Sequence, residues 1–101
     1  MSTARATTDV DDERVRITTW TFGDGENTGR HVHEYDYIVV PVTGGRFAVT
    51  DPDGAAHELT QHAGSPYLGR AGTEHDVANA SGATAVFVEI ELKSGGQRDG
   101  G

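Results

Sequence analysis

Three histidines have the residue type and the spacing to hold a metal ion. His31 and His33 are separated by one residue, and His75 follows 42 positions after His33. Side chains at positions i and i+2 of a β-strand point to the same face, so the first two imidazoles would project together. Neutral imidazole is the commonest protein ligand for first-row transition metals. With a third imidazole from another strand, we expect one divalent ion at these three residues.

Glycines and polar residues surround the histidines at fixed distances. The first pattern is Gly25, five residues, His31, one residue, His33, three residues, Tyr37, six residues and Gly44. The second pattern is Gly64, five residues, Arg70, one residue, Gly72, two residues, His75, three residues and Asn79. Two linked patterns with fixed spacing are a far more specific signal than either pattern alone.

This arrangement resembles the two sequence motifs of the cupin family, Gly-x5-His-x-His-x3-Glu-x6-Gly and Gly-x5-Pro-x-Gly-x2-His-x3-Asn. The spacing agrees at every motif position, but two residue types differ. Tyr37 stands where the family usually has a metal-binding glutamate, and Arg70 stands where it usually has proline. The resemblance covers roughly residues 15–92, and the segment HVHEYDYIVVPVTGG is similar to small single-domain bacterial cupins of β-alanine degradation.

The resemblance implies a fold and a cofactor. The fold is all-β, the double-stranded β-helix or jelly-roll barrel of cupins. The favoured metal is Fe(II), because cupins that lack the glutamate include oxygen-using dioxygenases with three-histidine iron sites. The ligands alone do not choose the metal, since imidazole also suits Zn, Ni and Cu, and Mn stays open as well.

Composition and charge exclude several classes of protein. The 101 residues suit one domain, and the absence of cysteine excludes disulfides and thiolate metal sites. The net charge of −8, without a basic patch, argues against nucleic acid and anionic membranes as partners. No apolar run has the length of a membrane span or a signal core. We therefore expect a cytoplasmic protein.

Short β-forming segments separated by glycine and proline turns fill most of the chain, as in a sandwich or barrel. The predicted strands cover residues 14–22, 31–42, 46–50, 56–61, 66–68, 74–79 and 84–92. Residues 1–12 are expected to be a flexible arm, 13–93 the cupin domain and 94–101 a disordered tail. A small core and sheet edges that need a partner also predict a homodimer, formed through strand exchange or sheet-edge pairing.

Strand parity predicts which side chains accompany the metal. Tyr35 and Tyr37 share a face with the histidines, whereas Glu34 and Asp36 point to the other face unless a bulge intervenes. Three neutral ligands leave the double positive charge of the metal uncancelled. That charge favours an anionic ligand such as a carboxylate, an enolate or hydroxide.

Tyr37 is the candidate catalytic residue, and two interpretations of it stay open. Its phenol either hydrogen-bonds the ligand or acts as a general acid or base, or else the ring fills the space of the missing glutamate. Candidates for a substrate pocket are aromatic residues and one cation, namely Trp20, Phe22, Tyr35, Phe47, Tyr67 and Arg70, which would pair with a carboxylate.

Other polar residues receive structural interpretations. His57 and His62 lack partners at metal spacing and are expected at the surface. Glu89 and Glu91 lie opposite an aliphatic stripe on the last strand, so solvation is expected, with contact to a ligating histidine as the alternative. Asn79 is expected to stabilise a turn or a strand end.

Three functions are compatible with these residues. The first is an Fe(II) dioxygenase acting on a small oxygenated or carboxylated metabolite. The second is a lyase or hydrolase that uses Zn, Ni or Mn with Tyr37 as base, and the third is a cupin that binds a small molecule without turnover. The fold hosts all three, so it does not choose between them.

Overall fold

Two antiparallel sheets form the part of the chain that the structure describes. A computed structural model describes residues 3–93, in which no helix is long and apolar enough to cross a lipid bilayer. The strands are β1 (Arg5–Asp11), β2 (Val15–Phe22), β3 (His31–Val32), β4 (Tyr37–Pro41), β5 (Gly45–Thr50), β6 (Ala56–Gln61), β7 (Tyr67–Gly69), β8 (Glu74–Asn79) and β9 (Ala85–Leu92). One sheet has the order β1-β2-β9-β4-β7 and the other β3-β8-β5-β6, which confirms the predicted all-β class.

Aromatic side chains fill one end of the space between the sheets. Phe22, Phe47 and Phe87 are buried and contact one another, with ring centroids 5.3–5.7 Å apart. Edge-to-face and tilted contacts at this distance add to the free energy gained from burying each ring. This cluster holds the two sheets together and leaves the opposite end of the interior for polar residues.

The chain changes sheets between the two halves of a segment that was predicted to be one strand. Residues 31–42 contain β3, two bends and then β4, and β3 and β4 belong to different sheets. Asp36, at the crossing, accepts a hydrogen bond from the backbone of Ala71 through its carboxylate at 2.9 Å. Because the strand is interrupted, its side chains do not alternate regularly between the two faces. The predicted placement of Tyr35 beside the histidines depended on that alternation.

The last strand presents carboxylates to the interior and aliphatic side chains to the outside. Phe87 pairs with Trp20 and Pro41 on the neighbouring strands, and directly paired residues share a face. Glu89 and Glu91 have the same parity as Phe87, and each is 8% exposed. The expectation that these two glutamates are solvated is wrong, because the aromatic residues rather than the aliphatic stripe define the inner face.

The N-terminal segment is a strand rather than a flexible arm. β1 pairs with β2 from Arg5 opposite Thr21 to Asp11 opposite Arg16, although all seven of its residues are exposed. Backbone hydrogen bonds rather than apolar burial hold it, so no hydrophobic pattern marked it in the sequence. The predicted tail at residues 94–101 lies outside the described residues.

Asn79, the last residue of β8, joins the end of β2 to the turn that follows β8. Its side chain is 2% exposed, and Nδ2 donates to the carbonyls of Phe22, Gly23 and Ala83 at 3.3, 3.1 and 2.7 Å. Its Oδ1 accepts from the backbone N–H of Ser81 at 2.9 Å. These bonds confirm the expectation that Asn79 stabilises a strand end.

Replacing Asn79 should weaken the fold. Asn79→Ala should lower the free energy of unfolding by about 2–4 kcal/mol, because buried carbonyl groups lose their donor. Ser81→Ala is the control, since its exposed hydroxyl bonds should be worth about 1 kcal/mol or less. Urea denaturation measures both, and an Asn79→Ala variant as stable as Ser81→Ala would contradict this account.

Candidate metal centre

Backbone pairing between two segments brings the three histidines together. His31 lies directly opposite His75 where β3 pairs with β8. His33 follows immediately, and its backbone N–H donates to the carbonyl of Thr73 at 2.9 Å while its carbonyl accepts from Gly72 at 2.7 Å. Facing residues of an antiparallel pair and residues two apart on one strand share a side. All three rings therefore project into the interior together.

The ring nitrogens are separated by distances that suit a shared metal ion. Nε2 of His33 lies 3.2 Å from Nε2 of His31 and 3.1 Å from Nε2 of His75. Imidazole nitrogens at about 2.1 Å from a metal are about 3.0 Å apart at right angles and about 3.4 Å apart in a tetrahedron. The observed separations fall between these values, so the three residues fit a divalent metal.

Hydrogen bonds on the far side of His31 fix the orientation of its ring. Nδ1 lies 2.9 Å from the carbonyl oxygen of Gly29 and 3.2 Å from Oγ1 of Thr28. Donation from Nδ1–H to the carbonyl leaves the lone pair on Nε2, the atom that faces the other two histidines. Thr28 also accepts from the backbone N–H of Val77 at 3.1 Å, which ties this loop to β8.

Burial lowers the pKa of two of the three histidines, which favours the neutral form that binds a metal. Desolvation, reinforced by the neighbouring histidines, lowers the pKa of His33 to about 4. Desolvation and the nearby His31 also lower the pKa of His75. Both rings are therefore neutral at pH 7, the form in which an imidazole nitrogen ligates a metal. Among residues 3–93, the cluster contains these three histidines and no carboxylate.

Tyr37 occupies the space beside the cluster. Its ring stacks on that of His33, with centroids 3.8 Å apart and planes inclined by 18°. The ring lies over Gly69, its partner across β4 and β7, where an added methyl group would overlap it. Burial raises the pKa of the Tyr37 phenol to about 12, so the hydroxyl keeps its proton at neutral pH. The sequence analysis did not identify Gly69. A glycine inside a predicted β-strand often marks a close approach of another group, and this was the signal available for Gly69.

A cavity of about 240 Å³ opens from the histidines into the space between the sheets. Of the residues predicted for a substrate pocket, Trp20 and Tyr67 line it, and Tyr37 does so as well. The structure does not place the remaining candidates on its wall. Phe22 and Phe47 are in the aromatic core, Tyr35 is half-buried in the bend after His33, and Arg70 is exposed.

Two polar residues of the cavity wall were not selected from the sequence. Glu89 faces the cavity from β9, and Gln61 faces it from the end of β6. The parity of Glu89 with Phe87 was the signal that could have identified it. His62 is exposed, as expected, and His57 is exposed at the cavity mouth, where its Nδ1 lies 3.7 Å from the carboxylate of Asp51. Neither histidine belongs to the cluster.

Known proteins are similar to this chain in sequence and in fold. The beta-alanine degradation protein BauB of Pseudomonas aeruginosa is 46% identical over 87 residues, which cover 86% of this chain and 90% of BauB. A cupin domain from Bordetella pertussis Tohama I is 41% identical and superimposes with a TM-score of 0.87, covering 91% of this chain and 95% of the other.

More distant structures show the fold alone, and no family model matches the sequence. A cupin with a double-stranded β-helix fold from Methanocaldococcus jannaschii is 16% identical, with a TM-score of 0.73 over 91% of this chain and 82% of the other. The fold, the motif spacing, the histidine cluster and the 41% identity to a cupin domain agree. This chain belongs to the cupin superfamily.

Proposed function

We propose that this protein is a metal-dependent enzyme, an Fe(II) dioxygenase that acts on a small carboxylated or oxygenated metabolite. The observation that carries the proposal is the convergence of three histidine Nε2 atoms beside a cavity between the sheets. His31, His33 and His75 would hold the metal, and the cavity that they line would admit a ligand to it. When bound, Fe(II) supplies the means to activate dioxygen, both atoms of which enter the product.

The protein residues around the cluster select the ligand. Three neutral imidazoles cancel none of the metal charge, so an acidic group of the substrate is attracted to this end of the cavity. A volume of about 240 Å³ is smaller than that of common drug-binding pockets, which favours a short molecule. The name of the Pseudomonas relative associates that protein with β-alanine degradation, and we propose a substrate of similar size and charge here.

Tyr37 serves as a hydrogen-bond donor in this proposal. Its hydroxyl is protonated at neutral pH because burial raises its pKa to about 12, and its ring is fixed between His33 and Gly69. A phenol held in this way donates a proton in a hydrogen bond to an oxygen of the bound ligand. The alternative of a lyase or hydrolase, in which Tyr37 is the base, would require the bound metal to lower this pKa.

Oxygen consumption separates the dioxygenase from the alternatives. An enzyme of this kind should consume dioxygen and substrate in equal amounts only when Fe(II) is present. Turnover under nitrogen with Zn, Ni or Mn would support the lyase or hydrolase instead. Tight retention of a small acid without turnover under either condition would support the non-catalytic binding protein.

Metal content should depend on the histidine cluster and on no other histidine. His33→Ala should reduce bound metal from about one ion per chain to near zero, because only two ligand nitrogens remain. The double variant His57→Ala/His62→Ala should keep the parent content. Elemental analysis after dialysis measures both, and equal losses in the two variants would mean that the ion sits elsewhere.

Removing one hydroxyl group tests the part played by Tyr37. Tyr37→Phe should keep the metal and the fold but lower turnover by about 10²–10⁴, the range for a lost proton-donating group. Tyr35→Phe is the matched control, because Tyr35 lies outside the cavity wall. If Tyr37→Phe keeps turnover within a few-fold of the parent, the ring only fills space.

We also propose that two copies of the chain associate through the outer face of the larger sheet. Ile17, Ile38, Val86, Val88 and Ile90 alternate with inward residues on β2, β4 and β9, so the outer face of these three strands is apolar. A contiguous apolar patch at the surface marks an interaction site, and in a homodimer the same patch of each copy meets the other, which favours a second copy as the partner.

The association should be disrupted by a charge on the outer face. Val88→Glu should convert a dimer into a monomer in light scattering at micromolar concentration, because the carboxylate would be buried unpaired. Val32→Glu is the control, since Val32 is 60% exposed on β3 and belongs to the smaller sheet. A parent protein that is monomeric at every concentration would refute the proposal.

A further inference from the structure

We infer that Gln61, Tyr67 and Glu89 form a polar wall that binds the ammonium group of a short amino acid whose carboxylate faces the histidines. The inference rests on the proposed metal site and deepens it, because it names the chemical class of the ligand. All three residues line the same cavity as the cluster. The wall is built on β6, β7 and β9, whereas the histidines come from β3, β8 and the residue after β3.

Glu89 is positioned in the middle of the larger sheet. Tyr67 pairs with Val39 and Val39 pairs with Glu89, so these three side chains form one row on the inner face. Strands in a sheet are about 4.8 Å apart, which places Tyr67 and Glu89 on either side of Val39 with space for a small group above it. Hydrogen-bonded strands on both sides hold β9, so Glu89 is a fixed feature of the wall.

The carboxyl group of Glu89 has no cationic partner among the residues that the structure describes. Arg16, the nearby cation, is committed to Glu91 through two hydrogen bonds of 2.9 and 2.6 Å. Burial, together with the charge of Glu91, raises the pKa of Glu89 to about 7, against the smaller opposing effects of Trp20 and Arg16. Such a carboxyl is poised near neutrality, and an ammonium ion beside it would favour its ionised form.

Gln61 supports the hydroxyl group of Tyr67 in this wall. Gln61 is 3% exposed, and its Nε2 donates to the hydroxyl oxygen of Tyr67 at 2.8 Å. Its Oε1 has no hydrogen-bond partner among the described residues and is covered by protein atoms. The bond from Nε2 therefore fixes the Tyr67 hydroxyl on the cavity wall.

The charges at the two ends of the cavity match a zwitterion. A metal held by three neutral histidines attracts a carboxylate, and the polar wall offers the ionisable carboxyl group of Glu89 to an ammonium group. A simple carboxylic acid would satisfy the first end and leave Glu89 without a cation. The cavity therefore prefers a short amino acid to the acid that lacks the amino group.

β-Alanine and propionate provide a matched pair of probes, since they differ by the ammonium group. Calorimetric titration of the Zn(II)-loaded protein at pH 8 should show β-alanine bound about tenfold or more tightly than propionate, as a charge-assisted hydrogen bond predicts. Glu89→Gln should abolish this preference, leave the affinity for propionate unchanged and keep the metal. Glu58→Gln, at an exposed carboxylate on β6, is the control and should behave as the parent does.

The pH dependence tests the inference without a substitution. The preference for β-alanine over propionate should grow as pH rises from 6 to 8, because ionised Glu89 holds the ammonium group and its pKa is about 7. Beside Glu89, Glu91 and Arg16 form an ion pair, and the raised pKa of Tyr67 keeps its hydroxyl neutral in this range. The other titratable groups that line the cavity, besides the three clustered histidines, are Tyr37, Asp51 and His57. The histidines across the cavity affect both probes through the metal, so the ratio cancels their contribution.

Two results would overturn the inference. One is a parent protein that binds β-alanine no better than propionate at pH 8, and the other is a Glu89→Gln variant that keeps the preference. Metal content measured on the same samples separates this failure from failure of the proposed function. Protein that carries the metal but lacks the preference refutes the polar wall alone, whereas protein that takes up no metal refutes the proposed centre.

Discussion

The short pairing of β3 with β8 is the constraint on which the site depends. It places His31 opposite His75, and the backbone bonds between His33 and the turn before β8 keep the third ring beside them. His31 and His75 face each other across an antiparallel pair, and His33 follows two positions after His31. Their three ring nitrogens therefore lie on one side of the sheet, within the reach of short side chains. The chain then crosses to the other sheet, and this change of direction allows the ring of Tyr37 to stack on the ring of His33.

The two sheets contribute opposite chemistry to one small space. The smaller sheet provides neutral nitrogen donors, and burial keeps His33 and His75 unprotonated. The larger sheet provides the carboxyl group of Glu89 and the hydroxyl group of Tyr67, which accepts a hydrogen bond from Gln61 on the edge strand of the smaller sheet. Because the interior excludes water, each group acts more strongly on a ligand than it would on the surface. Selectivity then follows from the arrangement of charge along the cavity.

The sequence predicts the histidine cluster well because the motif spacing fixes both strand parity and the glycine turns around it. It predicts the inner wall poorly, since parity is ambiguous on β9, where one face is aliphatic and the other carries Phe87 and two glutamates. Only the pairing with Trp20 on β2 decides which face is inside. β1 escaped prediction because backbone and polar side-chain bonds hold it without apolar burial. The placement of Tyr35 failed because a bend interrupts the strand after His33.

Anomalous X-ray diffraction at the absorption edge of the bound metal tests the central claim most directly. Crystals of the protein loaded with Fe(II) under anaerobic conditions should show one strong anomalous peak per chain. That peak should lie about 2.0–2.2 Å from Nε2 of His31, His33 and His75, with the remaining positions open to the cavity. A peak at any other group of side chains, or fully loaded crystals in which the three rings point apart, would contradict the account.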